Sequence, residues 1–159
     1  MYIRPAIDEI KKRLSQYSAI RVELDTLEER LERLKSEETL PAMRPNSGSK
    51  PTGGTGDRQE RSILRRMEYE ERHGAEIEAK RAELRFIEDS INSVDDPMER
   101  MVLRIRYTGS ENAKPMPWRA VAVAIYKDDS DAKMLAIYRL HGRALQSLQS
   151  ILPWENTSA

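Results

Sequence analysis

The chain has 159 residues, of which 38% are apolar and 34% charged, and its 27 Lys and Arg balance 27 Asp and Glu. That composition fits an elongated helical protein with a small core, and the zero net charge gives no overall sign of a polyanionic partner. There is no cysteine, which excludes disulfides, thiolate metal sites and cysteine nucleophiles; no apolar run suits a signal peptide or a membrane span, so the expected location is the cytoplasm.

Residues 1–40 read as a first stalk helix. Ile10, Tyr17, Leu24 and Leu31 recur every seven residues, with Ile20, Leu27 and Leu34 three places after the last three, which is the pattern of a coiled-coil seam. Arg13 makes the seam ragged at its start. Pro5 suits a first helical turn, where its missing N–H costs nothing. Residues 41–57, PAMRPNSGSKPTGGTGD, have turn-forming residues and no apolar period, so they are expected to form a flexible linker.

A second stalk helix is expected over 58–95, with Ile63, Ile77, Leu84 and Ile91 on one heptad position and Ile87 and Val94 on another. Glu70 and His73 interrupt its stripe and Gly74 weakens it. A flexible linker of this length spans about 22 Å r.m.s., whereas each stalk helix is about 50 Å long. Antiparallel return is easy and a parallel pairing is not, so the spacing predicts a helical hairpin. The narrow seams are also compatible with pairing to a second protomer, and the sequence leaves that choice open.

The segment 96–152 carries the local charge excess. From Pro97 onward it holds nine basic residues (Arg100, Arg104, Arg106, Lys114, Arg119, Lys127, Lys133, Arg139, Arg143) against Glu99, Glu111, Asp128, Asp129 and Asp131. Asp96-Pro97-Met98-Glu99 predicts a helix start with an Asp cap, Pro at the first position and Glu placed to close a capping box. That helix is expected to end near Tyr107-Thr108-Gly109, with the glycine in a left-handed conformation. Pro117-Trp118 opens a short helix with Val121, Ala122 and Ile125 on its apolar face. A last helix runs from about Ala132 to Leu152, burying Ile137, Leu140, Ala144, Leu148 and Ile151. Residues 153–159 form a tail.

The last helix leaves Lys133, Ala136, Arg139, Arg143 and Gln146 on an outer stripe. Spaced cations and an amide beside a small residue suit entry into a major groove, because Arg and Lys reach phosphates or guanine edges and Gln pairs with adenine. These five residues, with Arg119 on the preceding helix, are the candidate DNA contacts. The competing reading is a solvated charged face. Trp118, Tyr107 and Tyr138 read as core, His141 as a histidine hydrogen-bonded into that core, and Gly142 as a point of close packing against the Trp118 helix.

This block resembles phage late-transcription regulators of the ArpU and RinA type, whose C-terminal half is similar to region 4 of bacterial sigma factors. The likeness rests on Asp96-Pro97 with Arg100, Val102-Leu103, Arg106-Tyr107, Trp118 with Val121-Ala122, and above all Tyr138-Arg139-Leu140-His141-Gly142-Arg143-Ala144-Leu145. It implies an all-α fold, a long coiled-coil-like N-terminal hairpin followed by a small trihelical helix-turn-helix domain. It also implies binding of double-stranded promoter DNA in the host bacterial cytosol, with RNA polymerase as an open second partner, and no catalysis.

The sequence departs from the family in the turn. Tyr126 to Ala136 is about five residues longer than the short Gly-x-Ser turn of the family and has no glycine. Either the turn is expanded or the recognition helix gains an N-terminal turn.

Asp128, Asp129 and Asp131 do not make an EF-hand, since Lys133 and Arg139 stand where Gly and Glu are required; capping is the expected role. No nucleotide-binding glycine motif and no metal-ligand cluster is present, so neither an enzyme nor a cofactor is expected. Two other readings remain: a DNA-packaging recognition subunit resembling a small terminase, and a coiled-coil adaptor that binds protein without DNA. The stalk is the expected means of any homo-oligomerisation.

Overall fold

A computed structural model describes residues 6–39 and 55–151; the predicted Pro5 turn, most of the linker and the tail lie outside them. The described residues form α1 (Ile7–Ser15), α2 (Tyr17–Thr39), α3 (Thr55–Asn92), α4 (Pro97–Leu103), α5 (Trp118–Tyr126) and α6 (Asp131–Ser150), with one π-helical turn, Arg104–Thr108, directly after α4. They contain no strand, and no helix among them is long and apolar enough to cross a membrane. The fold is all-α, as the sequence predicts.

Packing divides the chain into two units, Glu23–Arg81 and a second composed of Met1–Val22 with Ala82–Ala159. The first is the hairpin. From Glu23–Lys80 at 2.8 Å, through the Tyr69 hydroxyl donating to the Leu27 carbonyl at 3.0 Å, to Arg66–Glu38 at 2.5 Å, partner numbers fall as the first numbers rise. The two helices are therefore antiparallel. Leu24, Leu34 and Ile77 are buried in this unit, while Leu27, Leu31 and Ile63 are half-buried, as a narrow two-helix seam allows.

The second unit joins the chain's beginning to its C-terminal third. Here the heptad reading needs correction. The seam as read omitted Leu14, which is fully buried, as is Ile10 one turn earlier, and α1 packs on α6. The two apolar residues are four apart and so share a face. The trihelical block predicted over 96–152 thus has a further helix in its core. The helix ladder tightens at Gln16, whose N–H reaches the Arg13 carbonyl, one residue short of the α-helical partner. Ser15 Oγ donates to the Lys11 carbonyl at 2.7 Å, a back-bond that bends helices.

α4 starts as predicted: the Asp96 carboxylate accepts from the N–H groups of Met98 and Glu99, and Pro97 fills the first position. The capping box does not close. Glu99 instead accepts the Ser147 hydroxyl at 2.6 Å, tying the start of α4 to the end of α6. Gly109 also departs from expectation, with φ −92°, an ordinary right-handed value. Its lack of a side chain matters for another reason: a Cβ there would lie 2.8 Å from the Ile105 carbonyl oxygen, because the wide π turn brings that carbonyl close.

Candidate nucleic-acid interface

α5 and α6 are joined by Lys127–Ser130, four residues, a length found in helix-turn-helix units. Most of the stretch from Tyr126 to Ala136 is helical, since α6 begins at Asp131. The turn works without glycine because Lys127 itself adopts the left-handed conformation, φ 59° and ψ 20°. It is the one non-glycine residue with positive φ among those described, a conformation that costs an L-residue roughly 1–2 kcal/mol. Its N–H donates to the Val123 carbonyl and its Nζ to the Ala124 carbonyl, closing the last turn of α5. Asp128 then accepts both the N–H and the hydroxyl of Ser130. Those bonds hold the Asp128 carboxyl below its ordinary pKa, with Lys133 adding to the effect.

α6 packs against α1, α4 and α5. Ile137, Leu140, His141, Ala144, Leu145 and Leu148 are buried, which at 100° per residue defines one inner arc. Its rotation is locked by a buried polar pair. Tyr107, fully buried in the π turn, shares a hydrogen bond between its hydroxyl and His141 Nε2 at 2.7 Å. Burial pushes the His141 pKa down to about 4, helped by the charges of Lys11 and Arg106. Burial likewise pushes the Tyr107 hydroxyl up to about 12. At neutral pH both groups are therefore uncharged.

Trp118 meets the His141 ring edge-on at 4.6 Å, and the Arg106 guanidinium lies 4.3 Å from the Trp118 ring centre while donating to the Met116 carbonyl. Arg139 and Arg143 stand two residues to either side of His141, a rotation of about 200°. Holding His141 inward turns both outward.

Both arginines are exposed, and neither has a hydrogen bond, ion pair or ring contact to a described residue. Gln146 is exposed and Ala136 half-buried on the same outer face. Lys133 leaves that group. It is seven residues before buried Leu140 and so points over the inner arc, where its Nζ lies 5.0 Å from the Tyr126 ring centre. Arg119, on α5, is exposed and has no partner among the described residues.

The other cations of the segment are committed to the fold. Arg100 donates to the carbonyls of Val94 and Asp95, Arg104 to Asn92 Oδ1, and Arg106 and Lys127 as described. The Lys114 side chain is a further exposed, unpartnered cation; nothing in its loop sequence marked it.

Two core assignments change. Tyr138 is 47% exposed, with only its ring edge against Trp118 at 5.5 Å. Gly142 is exposed, and a Cβ there would meet nothing within 4 Å, so no close helix contact requires it. Tyr107 and His141 are core, as read.

No protein-family model, curated protein or solved structure matches this chain.

Proposed function

We propose that this chain is a non-catalytic DNA-binding transcriptional regulator of the phage late-regulator kind. It grips duplex promoter DNA through α6 and uses the charged hairpin to oligomerise or to meet a partner such as RNA polymerase. The observation that carries the reading is the pair Arg139 and Arg143, exposed and unpaired on the outer face of a helix that follows a four-residue turn. An arginine left without an acid partner on a locked helix is available to phosphate oxygens or guanine edges. The resemblance of Tyr138–Leu145 to the sigma-region-4-like block supports the same partner and supplies the phage and promoter context.

The test is fluorescence anisotropy of a labelled duplex at several salt concentrations. Binding should weaken steeply as salt rises, because each neutralised phosphate releases counterions. The observation favouring a protein partner instead is the exposure of Leu135 and Tyr138, 49% and 47%, beside Arg139. Capture of purified RNA polymerase by a chain that ignores duplex DNA would support that second reading.

A further inference from the structure

Helix-turn-helix proteins present the N-terminal residues of their recognition helix to base edges. In this chain that end is unsuited to the task. Asp128, Asp129 and Asp131 gather at it, all exposed, and would face phosphates. The outward residues of the first two turns are Ala132, Leu135 and Ala136, none of which donates a hydrogen bond. The single cation there, Lys133, lies over Tyr126 and beside Asp128.

The recognition chemistry begins at Arg139, about 12 Å along the axis from Asp131. That distance exceeds the Debye length of about 8 Å at physiological salt, so a helix engaged from Arg139 onward keeps the carboxylates electrostatically apart from the contacted phosphates.

Resting on the DNA-binding reading, the geometry points to a docking mode in which α6 from Arg139 onward, not its N-terminus, occupies the major groove. Arg139 and Gln146 read bases and Arg143 holds a phosphate. The buried arc of α6 is centred between Ile137 and Leu148, and the direction opposite falls between Arg139 and Gln146, whereas Arg143 lies about 50° to one side. The middle of a helix face meets the groove floor and its flank meets the backbone. Arg139 and Gln146 are seven residues apart, about 10.5 Å, which corresponds to about three base pairs. The bound site therefore holds a guanine and an adenine at that separation.

Duplexes selected by the full-length chain from a random-sequence pool provide the specific probe, and a scrambled duplex the non-specific one. Asp129→Asn with Asp131→Asn should change affinity by less than about threefold; tightening of about tenfold or more would place those carboxylates at phosphates and overturn the docking mode. Arg139→Lys keeps charge but loses the bidentate fork. It should lower affinity for the selected duplex by about tenfold or more while leaving the scrambled one nearly unchanged. Arg143→Ala should weaken both alike and reduce the salt slope by about one. Exchange of those two patterns also overturns the assignment. A folded wild-type chain with no salt-dependent affinity for either duplex would overturn the DNA reading itself, a result distinct from the others.

Discussion

The hairpin unit and the outer face of α6 treat charge in opposite ways. In the hairpin unit, Lys80 meets Glu23 and Glu76, Arg81 meets Glu28 and Glu78, and Arg66 meets Glu38 and Glu70. In the other unit Arg13 meets Glu83 at 2.6 Å, but on α6 Arg139 and Arg143 meet no acid. Exposed ion pairs contribute little stability, so the hairpin pairs chiefly set register. An unpaired arginine on a rigid helix contributes no register at all. Its charge remains available to a ligand.

The contrast is broken most severely through the core. Leu14→Ala should cost about 2–5 kcal/mol and lower hydrogen-exchange protection in α1 and α6, whereas Leu27→Ala, on the half-buried hairpin seam, should cost less. Equal losses in denaturant titrations of the two variants would contradict the placement of α1 in the C-terminal core.

Next comes pH. His141 ordinarily titrates near 6.5 and is depressed to about 4 in the folded chain, so on acidification the unfolded state takes up the proton first. Its contribution is complete above pH 6.5 and lost as pH falls from 6.5 through 4, a difference of about 3 kcal/mol. His141→Phe should flatten that part of the stability profile; an unaltered slope would mean that another group carries it.

Smaller effects test the backbone. Lys127→Gly removes the left-handed strain and should stabilise by about 0.5–1 kcal/mol, read as a higher denaturant midpoint. In the hairpin, Gly74 is helical with nothing within 4 Å of a Cβ position. Gly74→Ala should therefore add about 0.5–1 kcal/mol, with the gain confined to exchange protection in the Glu23–Arg81 unit.

What sequence made legible follows the same division. The hairpin could be read because heptad spacing is local, and the outer face of α6 because its period is 3.6 and its inner residues are apolar. Other features depend on groups distant in sequence. Leu14 finds its core across the whole chain, Tyr107 bonds His141 34 residues away, and Glu99 gives up the capping box for Ser147. An aromatic ring such as that of Tyr138 reads as core, yet its position on the wheel, about 90° from the inner arc's centre, leaves about half of it in solvent. The left-handed Lys127 has no compositional signal, since its strain is offset by bonds to Val123 and Ala124 that only the folded turn shows.

The most direct test of the central claim is the affinity of Arg139→Ala/Arg143→Ala for a labelled duplex, measured by anisotropy beside a thermal melt. Both side chains are exposed and unpaired, so the variant should melt like the wild type while its affinity falls by about tenfold or more. A folded double variant that binds as tightly as the wild type would show that α6 is not the surface that meets DNA.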